Sequence, residues 1–310
     1  MELVHGLHNL RDKHQGCVLT IGKFDGVHLG HQAVLAQLQN QAQQRQLPAS
    51  VMVFEPQPEE VFLPQSAPAR LSTLRDKYEA LEALGIDRLI CVKFNAKFAS
   101  QSPQTFVQDL LIDRLGVEFL VVGDDFRFGK ARQGDFAMLV DAGAKNGFSV
   151  VNTQSLRMAD CRVSSTAIRE ALERGDFRQA ENMLGRPFCI TGKVVHGEKR
   201  GRTIGFPTAN VLLKRMNAPI AGVFAVQVTV GTTIYGGVAN IGHRPTVNGT
   251  RSQLEVHVFN FDGNLYGKRI AVMPIAKIRD EQKFESFERL KQQIELDAEL
   301  AKQRLATKTF

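Results

Sequence analysis

From residue 16 to about residue 154 the chain alternates short apolar runs with longer segments of helical periodicity, and this alternation limits the fold more than any other feature. "GCVLTIG", "ASVMVFEPQP" (stopped by its two prolines), "DRLICVKF", "VEFLVVG" and "FSVVNT" are built on nearly continuous apolar runs, the pattern of strands buried on both faces of a parallel sheet. Between them lie "HQAVLAQLQNQAQQRQL", "LSTLRDKYEALEALG", "SPQTFVQDLLIDRLG" and "GDFAMLVDAGAKNG". The first puts Val34, Leu35 and Leu38 on one face with glutamines opposite, and the third has Ser102 as N-cap with Pro103 at the first helical position. Strand and helix in strict succession predict a doubly wound parallel α/β sheet. Ligands of such sheets sit beyond the carboxyl ends of the strands.

The style changes after "STAIREALERGDFRQAENMLGRPF". From Cys189 onward come "CITGKVVHG", "GVFAVQVTVG", "TIYGGVANIG", "LEVHVFNF" and "KRIAVMPIAKI", separated by turn residues. These predict an antiparallel barrel, closed by the amphipathic helix "SFERLKQQIELDAELAKQRLA". A chain of 310 residues exceeds one ordinary domain, and the boundary is placed near 184–187, giving domains 1–184 and 185–310. No apolar run approaches the ~20 residues that span a bilayer, and "MELVHGLHNLRDKHQG" lacks the apolar centre of a signal peptide. A cytoplasmic protein with no membrane partner is the expectation. Cys17, Cys91, Cys161 and Cys189 lie far apart without a C-x-x-C pair, which argues against structural zinc and a disulfide framework. The formal net charge of +7 is spread along the chain without a zinc finger, RRM signature or sustained basic helix. No nucleic-acid partner is therefore expected, and the same bias serves anionic small molecules.

The stretch "GKFDGVHLGHQAVL" (22–35) hands a strand over to a helix and carries His28, Gly30 and His31. Unpaired N–H groups at a helix start carry about half a positive charge and form a ready anion site. Gly30 lets a ligand approach the backbone, and two imidazoles donate to phosphate oxygens as charge grows in phosphoryl or nucleotidyl transfer. A metal site needs further ligands, and an i, i+3 histidine pair is a weaker metal signal than H-E-x-x-H. A plain helix cap is the remaining alternative. "CRVSSTAIREAL" (161–172) offers Ser164, Ser165 and Thr166 at another helix start with Arg169 one turn in, which suits a polyphosphate, or is a plain cap with Ser165 or Thr166 as the N-cap residue. "VVGDDFRFGKARQGD" sets Asp124, Asp125 and Arg127 just past a strand, on the ligand edge of the sheet or in a polar loop.

In the second half, "GKVVHGEKRGRTIGFPTANV" (192–211) combines Gly197, Gly201 and Gly205 with Lys199, Arg200 and Arg202 and ends in Thr208 and Asn210. Glycines admit phosphates to the backbone, and the threonine and asparagine oxygens are ligands for Mg²⁺. No Walker A loop is present; an exposed basic hairpin is the alternative. Alternation in "LEVHVFNF" aims Leu254, Val256 and Val258 one way and Glu255, His257 and Phe259 the other. Glu255 is a candidate general base for a substrate hydroxyl, or one more solvent-facing carboxylate.

Taken in order, "GKFDGVHLGH", "VVGDDFRFG" and "SSTAIR" resemble the HxGH nucleotidyltransferase superfamily, and most closely the FAD synthetase module of bacterial bifunctional riboflavin kinase/FAD synthetases. The P-T-A-N segment, the Glu255 strand and the closing helix resemble the riboflavin kinase module, a six-stranded barrel. The likeness spans about residues 15 to 300. It implies a C-terminal module that phosphorylates riboflavin to FMN with ATP. It also implies an N-terminal module in which the FMN phosphate attacks the α-phosphate of ATP, giving FAD and pyrophosphate. The resemblance assigns His28 and His31, with Gly30, to ATP phosphates, and Ser164, Ser165, Thr166 and Arg169 to the β/γ end. Phe24, Asp25, Phe62, Asp125 and Arg127 fall to the flavin and nucleotide. In the kinase module it assigns Thr208 and Asn210 to Mg²⁺-ATP, the loop with Gly197, Lys199, Gly201, Arg202 and Gly205 to ATP phosphates, Glu255 to the 5′-hydroxyl of riboflavin, and Arg289 to the flavin. Two rivals are weaker. A nucleotide-binding regulator without turnover needs no general base, and an adenylyltransferase for another acceptor gives no reason for a fused kinase-like barrel.

Overall fold

A computed structural model describes residues 1–123, 125–153, 157–158, 161–196, 206–213, 217–246 and 249–307. Its contacts divide the chain into two units, Met1–Pro68 with Leu74–Val163, and Ala69–Thr73 with Ser164–Phe310. In the first unit six strands, β1 (Glu2–His5), β2 (Cys17–Ile21), β3 (Ala49–Glu55), β4 (Arg88–Lys93), β5 (Val117–Val122) and β6 (Ser149–Asn152), form one sheet in the order β1-β4-β3-β2-β5-β6. Every pairing is parallel. The helices are α1 (Leu29–Arg45), α2 (Pro58–Phe62), α3 (Leu74–Ala83), α4 (Ala96–Ala99), α5 (Pro103–Thr105) and α6 (Phe136–Asn146). Neighbouring strand residues point to opposite faces, so Leu19, Met52, Ile90 and Leu120 pack with Leu110 and Leu111, while Val18, Val51, Leu89 and Val121 pack with Leu35, Leu38 and Leu81. The sheet is doubly wound, as the apolar runs predict. From β2 the chain steps through β3 to β4, and β5 then returns to the other side of β2, which makes the β2/β5 edge the topological switch point.

Three local features lie outside the sequence reading. Strand β1 was not anticipated, because Val4 is the one buried residue of its four. Polar contacts hold it at the sheet edge: Glu2 meets Lys13 at 2.7 Å and His14 at 3.1 Å, and the buried Arg88 donates to the His14 carbonyl at 3.0 Å. Hydrogen bonds from Lys13 and His14 hold the Glu2 carboxyl down to about 2. Second, Ser102 caps α5 by accepting from the Thr105 N–H at 3.0 Å as expected, but residues Phe106–Arg114 continue as a π-helix. Third, Arg157–Met158 (β7) and Cys161–Arg162 (β8) pair as a short antiparallel ladder.

The second unit contains α7 (Ser165–Glu173), α8 (Phe177–Leu184) and the strands β9 (Ile190–Val195), β10 (Ala209–Leu212), β11 (Gly222–Val230), β12 (Thr233–Thr246), β13 (Gly249–Val258) and β14 (Arg269–Arg279). These six strands close into a barrel in the order β10-β13-β12-β11-β14-β9, antiparallel throughout, which is the barrel the alternating segments predict. Helix α8 packs on it through Phe177, whose ring stands edge-on to Phe224 at 5.9 Å. The closing helix, α9 (Phe287–Ala306), sets Ala298 and Ala301 against Val223, Ala225 and Val238. Arg279 pins it with a bidentate pair to the buried Asp297, at 2.7 Å from Nη2 and 3.0 Å from Nε.

Candidate active sites

At the switch edge β2 runs into a tightly wound loop. Phe24 and Val27 adopt φ of 46° and 42°, a region that is costly for a bulky or β-branched residue and recurs at functional sites. Phe24, Asp25 and Val27 are all buried, so packing holds the loop in this form. His28 then caps α1, its Nδ1 accepting the His31 backbone N–H at 3.2 Å. A neutral imidazole with Nδ1 as acceptor carries its proton on Nε2, which leaves His28 an Nε2–H donor. The His28 and His31 rings stack with centroids 3.6 Å apart and planes 17° apart. Lone pairs lie in the ring planes, so this pair does not converge on one ion, and no group of three or more metal-ligating side chains gathers among the described residues. The His31 pKa is lowered well below its ordinary 6.5, first by burial, then by the charges of His28, the fully buried Lys77 and Lys23. His31 is therefore neutral at physiological pH. Space at Gly30 is tight: a Cβ there would lie 3.1 Å from His28 Nδ1 and 3.3 Å from the Val163 carbonyl oxygen.

The same unit holds a cavity of about 450 Å³ walled by Phe54, Phe62, Phe94, Phe98, Phe106, Phe126 and Phe128, with Arg127, Arg132 and Glu59 also lining it. Phe62 stands edge-on to Phe94 at 5.6 Å and is 59% exposed. Lys23, from the loop before His28, pairs with Glu59 at 2.6 Å and so ties the histidine loop to the cavity wall. Burial raises the Glu59 pKa, but the hydrogen bonds from Lys23 and the backbone outweigh it and leave the group below its usual range. Asp125 does not line this cavity; its carboxylate folds back toward Gly123, where an added Cβ would meet Oδ1 at 2.7 Å. Of the first unit's proposed residues, Phe24, Asp25, His28, Gly30 and His31 share one loop and helix start, and Phe62 and Arg127 share the cavity. Six further phenylalanines escaped the sequence reading. The signal was present as 20 phenylalanines against 3 tyrosines and no tryptophan.

In the second unit the N-cap of α7 is Ser164, accepting the Ala167 N–H at 3.2 Å, and not Ser165 or Thr166, the residues that the capping alternative names. Ser165 and Thr166 form the first turn. Arg169 donates through Nε to the Ala69 carbonyl and fastens residues 69–73 to this helix. In the barrel, Asn210 on β10 lies directly opposite Glu255 on β13. Leu254, Val256 and Val258 are buried and Glu255 and His257 half-buried, as alternation requires. Thr208 lines a cavity of about 250 Å³ with Pro207, Val194, Phe261 and Tyr266. His196 stacks on Tyr266 at 4.0 Å. His257 Nδ1 is 2.9 Å from the Pro207 carbonyl, fixing the backbone just before Thr208. Arg289 is exposed in the first turn of α9, with its backbone N–H on Ser286 Oγ at 3.2 Å. Gly197, Lys199, Gly201, Arg202 and Gly205, like Asp124, lie outside the described residues.

Comparison with known proteins gives a match of residues 10–167 to the FAD synthetase family and of residues 184–305 to the riboflavin kinase family. The chain is 52% identical over 299 residues to a bifunctional riboflavin kinase/FMN adenylyltransferase of Escherichia coli (strain K12), covering 96% of each. It is 52% identical over 303 residues to the protein of the same description in Haemophilus influenzae, covering 97% of this chain and 98% of that one. A crystal structure described as a macrolide-efflux protein from Streptococcus pneumoniae aligns with a TM-score of 0.76 at 29% identity, over 97% of this chain and 99% of that chain. The efflux description is that protein's own; among the described residues here, no helix is long and apolar enough to cross a membrane.

Proposed function

The chain belongs to the bifunctional riboflavin kinase/FMN adenylyltransferase family, and we propose that it converts riboflavin to FMN and FMN to FAD with the groups described above. The two modules are assigned to residues 1–184 and 185–310. The observation that carries the first half is a stacked histidine pair at a helix start, joined through Lys23 and Glu59 to an aromatic cavity. Flat aromatic ligands suit such a cavity, whose volume lies within the range of about 300–1,000 Å³ common for ligand sites. The phenylalanines, Phe62 among them, take the isoalloxazine ring, and Arg127 with Arg132 attracts the FMN phosphate. An FMN phosphate oxygen attacks the α-phosphorus of ATP, the bond to the bridging oxygen breaks, and pyrophosphate leaves. The nucleophile is already anionic, so no side chain has to remove a proton. His28 donates Nε2–H to the phosphate on which charge accumulates, and His31, stacked on it, is the second imidazole at the ATP phosphates. Phe24, Asp25 and Gly30 shape the loop for close approach. Ser164, Ser165, Thr166 and Arg169 hold the β/γ end, and Asp125 serves the nucleotide or flavin side.

In the kinase module Glu255 accepts the proton of the riboflavin 5′-hydroxyl as that oxygen attacks the γ-phosphorus and ADP leaves. Thr208 and Asn210 supply oxygen donors of the kind Mg²⁺ takes when it arrives with a nucleotide, holding one or two protein groups and several waters. Bound there, Mg²⁺ supplies neutralisation of phosphate charge. Gly197, Lys199, Gly201, Arg202 and Gly205 are assigned to the ATP phosphates and Arg289 to the flavin. Separating flavins by chromatography tests the division of labour. Glu255→Ala should abolish FMN formation and leave FAD synthesis from added FMN, while His28→Ala with His31→Ala should do the converse. Loss of both activities in either variant would refute it.

A further inference from the structure

We propose that Gln253 is a positioning residue of the kinase site. The inference rests on the assignment of Glu255 as base and Asn210 as nucleotide-side ligand. Gln253, Glu255 and His257 share one face of β13, because strand residues two apart point the same way, and β13 is registered so that Glu255 faces Asn210. The Gln253 Nε2 donates to Glu255 Oε1 at 2.9 Å and also to Asn210 Oδ1. An ionised carboxylate only accepts, so the Gln253 atom against it has to be the amide nitrogen. That same nitrogen touches Asn210, so the Asn210 atom facing it has to be the oxygen. Glu255 thus fixes the orientation of both amides, and the two protons of one NH₂ group span the base and the ligand. A carbonyl oxygen has two lone pairs, so Asn210 Oδ1 keeps one for a cation while Gln253 holds its angle. Asn210 is buried, which confines its side chain to this arrangement. Gln253 therefore couples the proton acceptor to the nucleotide ligand, and neither can rotate without breaking a bond to it.

The test uses the full-length enzyme with riboflavin, ATP and Mg²⁺. Gln253→Leu removes both donors at similar length. The expected result is a fall in kcat for FMN formation on the order of 10–100-fold, the range for losing a hydrogen bond to a charged group, with the riboflavin KM and the riboflavin Kd by fluorescence within about twofold of wild type. In a Glu255→Gln background the same change should add no further loss, since coupled groups are not additive. Should Gln253→Leu not fold, Gln253→Met, which removes both donors at similar length without adding charge beside Glu255, carries the same comparison. Unchanged kcat overturns the inference, and so does a parallel loss of riboflavin binding and kcat, the mark of a merely structural role. Full FMN formation by Glu255→Gln, or none by the wild type, would instead bring down the underlying assignment, and this inference with it.

Discussion

Replacing Gly30 with alanine separates activity from stability. The added Cβ would lie 3.1 Å from His28 Nδ1, where ordinary contact begins at 3.4 Å, and 3.3 Å from the Val163 carbonyl. Backbone on one side leaves the imidazole to give way, by about 0.3 Å, the difference between those two distances. A misplacement of about 1 Å at a reacting centre costs about 100-fold, so the shift alone accounts for a few-fold loss. The methyl also occupies the approach to the α1 backbone N–H groups, and the two effects together give an expected fall of about tenfold or more in kcat/KM for FMN adenylylation. Stability should move the other way or not at all: alanine is favoured over glycine in a helix by up to about 1 kcal/mol, against the strain of the contact. The assay is pyrophosphate release from ATP and FMN, run beside urea denaturation and FMN formation from riboflavin. Full adenylylation by Gly30→Ala would refute the claim that a phosphate approaches the helix start closely.

Other outcomes follow from the same structure. The unfolded chain protonates His31 near 6.5 whereas the folded chain resists protonation, so His31 contributes stability that is present above pH 6.5 and is lost as pH falls below it; the urea midpoint of His31→Asn should depend less on pH between 7.5 and 5 than that of wild type. Glu2, held at about 2, contributes stability present above its ordinary 4.5 and lost as pH falls toward 2. Because Glu2 is partly exposed, Glu2→Gln should cost under about 1 kcal/mol at pH 7, read by thermal unfolding. Phe62→Ala removes a largely exposed ring and should change stability by no more than about 0.5 kcal/mol, yet weaken FMN binding several-fold when titrated by flavin fluorescence; unaltered binding would remove Phe62 from the flavin cavity.

The elements legible in the sequence are those whose burial is uniform. Val18-Leu19, Val51-Met52 and Leu89-Ile90 each split between the two faces of the sheet, so their strands read as unbroken apolar runs. Strand β1 offers only Val4 to the core and is held by a charge cluster that no periodicity reveals. Alternation around Glu255 was legible because one face of β13 is apolar. The role of Gln253 was not, since it depends on the pairing of β10 with β13, and Gln253 and Asn210 are 43 residues apart in the chain. The phenylalanines of the cavity come from five separate segments, each of which reads alone as ordinary core. His28 illustrates the middle case: sequence offered anion cradle, metal pair and cap together. The structure makes it the cap of α1, with a defined tautomer and a ring stacked so that the metal pairing fails.

The central claim is that one chain carries two successive reactions in separate modules. Its most direct test is a time course of purified protein with riboflavin, ATP and Mg²⁺, the flavins resolved by chromatography. The account predicts FMN first and FAD after it, with Glu255→Ala halting the sequence at riboflavin and added FMN restoring FAD. Conversion of neither riboflavin nor added FMN by the wild-type protein would contradict it.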